Sequence, residues 1–229
     1  MPRKLNVGDT LSEVFATYGA NAGLLLPLAF WLYLVVAIVN GVVGNSLAGF
    51  AIALVFGSIV GFLYEGMVVG LVRDVQNGRR DSSAGDLYQG ALPVLAPLIG
   101  AGLLYGIGVV IGFALLVVPG LFLITIWAVI APAIVIERCG VRESFERSRE
   151  LVRGNGWPVL WVVLVAFLIA AAGAVIFGDI AVAIADGPIV RIVFSALAST
   201  ITAPISALVA AVLYYRLLAI QGGPSTDAG

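Results

Sequence analysis

From Leu24 to Val43 the chain runs for 20 residues without a charged side chain. In an α-helix that run is about 30 Å long, which is the thickness of a bilayer's hydrocarbon core. The pattern recurs. Uncharged or nearly uncharged runs cover about residues 48–72, 92–117, 121–136, 157–177 and 189–219. Only 11% of the 229 residues are charged, 61% are hydrophobic, and the mean hydropathy is +1.11. A soluble domain carries about 25% charged residues. This chain has too few to clothe a water-facing surface, so hydrocarbon is the solvent for most of it. The expected fold is all-α, a polytopic bundle of six transmembrane helices in a membrane domain over 22–220, with short interfacial amphipathic helices.

Residues 1–21 read as a wet, amphipathic segment. Thr10-Leu11-Ser12-Glu13 has the form of a capping box, and Leu11, Val14, Phe15 and Tyr18 recur at helical spacing, so a separate interfacial helix is predicted there. Asp9, Glu13 and Asn21 separate the first basic residues from the apolar run, which argues against a signal peptide. Gly44-Asn45-Ser46 reads as a turn, and Arg73 to Asp81 as a charged loop. Ser83–Gln89 starts a second short helix. Val118-Pro119-Gly120 reads as a tight turn. Pro132 and Pro204 are expected to interrupt the fourth and sixth runs. Gly178–Pro188 reads as a loop, and 221–229 as a disordered tail.

Val141–Arg153 is the clearest amphipathic stretch. Val141, Ser144, Phe145, Ser148, Leu151 and Val152 share one helical face, and the charged residues share the other. Glu143/Arg147 and Glu146/Arg149 are spaced to pair. Such a helix is expected to lie flat at headgroup level. A short polar helix thus precedes an apolar hairpin three times, near Gly8-Asp9, near Gly85-Asp86 and at Gly140–Arg153, the outline of a three-hairpin repeat.

Charge asymmetry orients the chain. The segments 1–21, 73–91, 137–156 and 216–229 would share one side, and they hold eleven of the twelve Lys and Arg residues; only Arg191 falls opposite. With six spans the positive-inside rule places both termini in the cytoplasm, in a cytoplasmic (cell) membrane.

The function classes that the residues exclude are easier to state. There is no histidine, the commonest general base and zinc ligand, and a single cysteine, Cys139. No nucleotide loop, metal cluster or nucleophile–base pair is present, so no catalytic residue, metal or cofactor is expected. The net charge of −1 offers no attraction to nucleic acid. Membrane lipids are the expected partners, with other membrane proteins or a second copy of the chain as further candidates.

Two groups of polar residues stand out. Glu65, beside Tyr64, lies inside the second run, where a carboxylate costs about 2.5–3.5 kcal/mol and needs a proton, a partner or water. It reads either as half of an internal pair, the favoured expectation, or as an ion- or solute-binding group. Glu137, Arg147, Ser148, Arg149 and Arg153 mark the end of the fourth run. They read as a headgroup site or as simple anchoring among anionic lipids. Glycines four apart, at 57/61, 66/70, 102/106 and 108/112, allow close helix approach, read as packing within the monomer or else as a dimer face.

The stretch Val118-Pro119-Gly120-Leu121-Phe122-Leu123, with Trp127, Ala131-Pro132-Ala133, Glu137, Arg147-Ser148, Leu151-Val152 and Gly154, resembles a known arrangement. It is similar to the membrane domain N-terminal to the catalytic domain of some bacterial glycerophosphodiester phosphodiesterases, and to related stand-alone bacterial membrane proteins. The resemblance implies an integral membrane module near lipid or envelope metabolism. It does not carry the enzymatic activity, which in that family belongs to a separate barrel that uses histidines and acidic metal ligands. The reading from sequence is therefore a non-catalytic, lipid-proximal structural or partner-binding module. The alternative is a small-solute or ion transporter or channel that uses Glu65.

Overall fold

The computed structural model describes residues 4–43, 46–78, 83–184 and 187–222. Arg3, Arg79, Arg80, Asp81, Asp186, the Gly44-Asn45 part of the first turn and the tail from 223 lie outside the described residues, as does the Arg191 side chain. The described chain is all-α. Six of its helical segments are long and apolar enough to cross a membrane: Val7–Val43, Leu47–Gln76, Ala84–Leu115, Val117–Glu137, Gly156–Phe177 and Ile192–Ile220. Large apolar side chains point outward along them, among them Val110 (68% exposed), Val118 (74%) and Phe122 (58%). An outer surface of this kind is stable against lipid and not against water, so the chain is a multi-pass membrane protein.

The helix that carries the first span begins well before that span does. Helix α1 is one continuous element, Val7–Val43, with no separate interfacial helix before it. Its cap is Asn6, whose Oδ1 accepts from Gly8 N (2.9 Å) and Asp9 N (3.3 Å), rather than the Thr10 box. Asn21 does not break the helix, because its side-chain amide donates to the Thr17 carbonyl one turn back (2.9 Å). At 37 residues the helix is about 55 Å long, so its first turns stand clear of a 30 Å core.

Ser46 caps α2 (Leu47–Gln76) by accepting from Gly49 N at 3.0 Å. Helix α3 (Ala84–Ala91) is the short helix expected near Ser83, closed by a Ser83–Asp86 capping box. A 3-10 turn over Leu92–Val94 leads into α4 (Leu95–Leu115). The chain reverses at Leu116, and α5 (Val117–Ile126) already contains Pro119 and Gly120, so the tight turn lies two residues earlier than predicted. A Cβ on Gly112 would come within 3.0 Å of the Gly120 Cα, so this hairpin closes only because both positions lack a side chain.

The fourth span is broken, but at Trp127–Val129 rather than at Pro132. Helix α6 (Ile130–Glu137) starts just before the proline. The proline ring clashes with the carbonyl four residues back, at Ala128, so the break falls one turn upstream of its cause. Pro204, in contrast, lies inside an unbroken α9 (Pro188–Ile220). Helix α8 (Gly156–Ile184) runs through Asp179, so the loop expected from Gly178 is shorter.

Helix α7 (Val141–Val152) buries Ser144, Ser148, Leu151 and Val152, the face the sequence marks. That face is covered by the protein's own helices α4, α5, α6 and α9, not by lipid headgroups. Of the three short helices expected before the hairpins, α3 and α7 are separate elements and the first is continuous with α1, so the three-hairpin repeat lacks its first short element.

The core sits toward one end of the bundle. Buried side chains concentrate at 64–74, 129–135 and 205–217. This is the basic end, and long-range polar contacts tie it together. Leu5 N donates to Asn155 Oδ1 (3.1 Å), Arg216 Nε meets Glu13 Oε2 (2.6 Å), and Gln221 Nε2 donates to the Glu150 carbonyl (2.6 Å).

Candidate functional site

Two regions carry polar chemistry. The first is at the basic end. Glu137, the last residue of α6, receives Arg147 Nε on both oxygens, at 2.7 and 3.0 Å. The Tyr214 hydroxyl of α9 donates to the same carboxylate at 2.6 Å. The Glu137 hydrogen bond, offset by partial burial, holds the Arg147 guanidinium above its ordinary value. Arg147 also reaches Glu150 at 3.6 Å, and Arg142 pairs with Glu146 at 3.2 Å. The expected Glu143/Arg147 and Glu146/Arg149 pairs do not form, because Glu143 instead accepts from Gly140 N at 3.0 Å and caps α7, while Glu146 turns to Arg142.

Ser148 is fully buried and serves the broken span. Its hydroxyl donates to the Ile126 carbonyl (2.9 Å) and accepts from Val129 N (3.3 Å), bridging two of the groups that the break leaves without helical partners. Glu137, Arg147 and Ser148 are thus occupied within the fold.

Arg149 and Arg153 are not. Neither has a carboxylate partner among the described residues. One helical turn apart, they rim a cleft of about 420 Å³ whose walls include Phe122, Ile126, Val152, Gly156 and one carboxylate, Glu150, which reaches Arg147 at 3.6 Å. The five candidates grouped by sequence therefore divide into an internal group and two free cations over an apolar floor.

The second region is inside the bundle. A cavity of about 660 Å³ lies between α2, α4, the broken fourth span, α8 and α9. Glu65 is its one ionisable carboxylate among walls that are otherwise apolar or aromatic, with Tyr105 and Ser206 as hydroxyl groups. The expected internal pair does not form: among the described residues no hydrogen bond or ion pair reaches Glu65. Its oxygens are not sealed in protein either, since no fully enclosed side-chain polar atom among the described residues lacks a partner.

Tyr64 is not part of this site. One residue along α2 is about 100° around the helix. Tyr64 is accordingly buried on the α1 side, its hydroxyl donating to the Leu25 carbonyl (3.3 Å) and its ring meeting Tyr33 edge-on at 5.8 Å. Tyr214 and Tyr105 are site residues that sequence reading does not single out, and Trp127 enters that reading only as part of the stretch that carries the resemblance. The only signal for Tyr214 is its place two residues before Arg216, at the basic end.

No curated protein and no solved structure matches the chain. A family model does match, over residues 12–219, which takes in all six spans and both polar regions. The chain therefore belongs to the family described as a domain of unknown function, DUF7847.

Proposed function

We propose that this protein is a non-catalytic, lipid-associated module of the cytoplasmic membrane, with both termini on the cytoplasmic side. The observation that carries the reading is the cleft between α5, α7 and α8, where Arg149 and Arg153 stand unpartnered above Phe122 and Ile126. Guanidinium forks match phosphate oxygens, and an apolar floor leading to the exposed Phe122 suits an acyl chain. An anionic phospholipid satisfies both halves of the site at once. The gathering of eleven of twelve basic residues at one side supports the orientation, since basic segments remain cytoplasmic during insertion. Trp157 and Trp161 are outward-facing (74% and 54% exposed) near the same end, where an aromatic belt would lie. The absence of histidine from the sequence supports a non-enzymatic role, as does the resemblance to the membrane module, rather than the barrel, of the phosphodiesterases.

The test is native mass spectrometry of the protein extracted in neutral detergent. Wild type should retain anionic phospholipid, and Arg149→Ala/Arg153→Ala should lose it while keeping its thermal midpoint. Equal anionic lipid on the two proteins would overturn the reading.

A further inference from the structure

The Glu65 cavity is not explained by headgroup binding at the basic end. Glu65 lies eight residues before Arg73, the first charge after the second apolar run, which places it about 12 Å inside the hydrocarbon. The cavity's 660 Å³ falls within the range of about 300–1,000 Å³ typical of small-molecule sites. Its walls are unusually aromatic: Phe62, Tyr105, Phe113, Trp127 and Phe167 surround the space that holds Glu65. Two of these, Phe113 (41% exposed) and Phe167 (65%), also face outward, so the cavity communicates with the lipid-facing surface between the third and fifth spans.

The wall is built to keep this shape. A Cβ on Gly102 would collide with the Phe62 ring, so the glycine is what lets that ring lie against α4. Trp127 sits in the break of the fourth span, edge-on to Phe145 of α7 at 4.9 Å and tilted against Tyr105 at 6.1 Å. Packing from the basic end thus holds the indole in place.

A single carboxylate among π-faces discriminates between ligand classes. A small metal cation needs several oxygen ligands, and this cavity offers one carboxylate with two hydroxyls. A neutral hydrocarbon would fill the apolar volume but gain nothing from Glu65, which would have to take up a proton or stay unpartnered in a low-dielectric site. A large organic cation is weakly hydrated, enters from the hydrocarbon side and gains the carboxylate as counter-ion. It also gains the negative faces of the surrounding rings. We propose that the intramembrane cavity is a binding site for a lipophilic organic cation, with Glu65 as its counter-ion and Tyr105 and Trp127 as its aromatic wall.

The probe is tetraphenylphosphonium, whose charge does not vary with pH, titrated calorimetrically into the full chain in dodecyl maltoside. The neutral triphenylphosphine oxide serves as comparator. Wild type should bind the cation saturably at one site. Glu65→Gln should weaken it by about tenfold or more, as loss of a desolvated charge partner does, and Glu65→Asp should keep most of the affinity. The phosphine oxide should bind more weakly and be indifferent to Glu65→Gln. Ala170→Trp, which fills the cavity from α8 without touching the charge, should abolish cation binding. No saturable binding by wild type, undiminished affinity in Glu65→Gln, or binding retained in Ala170→Trp would each overturn the proposal. Failure here leaves the Arg149/Arg153 reading intact, because the two sites share no residue.

Discussion

Tyr214 and Arg147 share one oxygen. The tyrosine hydroxyl donates to Glu137 Oε1 at 2.6 Å, and Arg147 Nε donates to the same atom at 2.7 Å. Through that atom the last span, the short helix α7 and the end of the fourth span are locked together. Hydrogen bonds to a charged acceptor contribute about 1.5–3 kcal/mol, and partial exposure of this carboxylate lowers the figure. Tyr214→Phe should therefore cost about 1 kcal/mol. Glu137→Ala should cost about 2 kcal/mol, because it also leaves Arg147 without its main partner. Thermal unfolding in detergent reads these as midpoint drops of about 2–4 °C per kcal/mol for a chain of this size. An unchanged midpoint in Glu137→Ala would show that the three side chains do not hold the helices.

Ser148 makes the second prediction. Replacing it with alanine removes a hydroxyl that satisfies both the Ile126 carbonyl and Val129 N–H, in a site that water does not reach. Unsatisfied buried groups cost about 1–3 kcal/mol each, partly relieved if the break relaxes. Ser148→Ala should lower the thermal midpoint and shift Trp127 emission, whereas Ser58→Ala, whose hydroxyl bonds only its own helix in α2, should do neither. Matching midpoints in the two variants would mean that the break needs no cap from α7.

How far this architecture is legible in the sequence depends on what each signal measures. Span length and charge asymmetry are local sums, so six apolar rods and a basic end follow without any tertiary contact. The buried face of α7 is legible position by position for the same reason. What covers it is not, because the segregation of apolar from charged positions is the same whether lipid or protein lies opposite. The break in the fourth span is displaced from Pro132 because a proline acts on the carbonyl a turn earlier. The polar start of α1 has the pattern of a separate helix, yet nothing between Asn21 and Leu24 stops helical hydrogen bonding. Glu65 is legible as costly, but its surroundings come from five distant segments. Tyr214 is 77 residues from Glu137, beyond any spacing rule.

The hairpin of α4 and α5 gives a contrast within one helix. Gly112 faces Gly120 so closely that a valine at 112 must push the helices apart, at about 1–3 kcal/mol for overpacking. Gly106, six residues earlier, has nothing within 4 Å of where a Cβ would sit. Gly106→Ala should be neutral or stabilising by about 0.5–1 kcal/mol through helix propensity. If Gly112→Val and Gly106→Ala unfold at the same temperature, the close approach of the two helices is wrong.

Cys139 is the chain's one cysteine and lies between α6 and α7, which makes it a built-in reporter of orientation and environment. With the basic end cytoplasmic, a membrane-impermeant maleimide should fail to label intact cells and should label them after permeabilisation. The rate carries a second expectation. Burial first, and then the Glu137 carboxylate, push the Cys139 thiol up from its ordinary value. A raised value means less thiolate at neutral pH, so alkylation should be slower than that of a free thiol at pH 7 and should accelerate as pH rises. Glu137→Gln removes one of the two main causes and should speed the reaction at pH 7. Labelling of intact cells from outside would reverse the orientation. A rate at pH 7 matching a free thiol, with no response to Glu137→Gln, would show that neither burial nor the carboxylate acts on this sulfur.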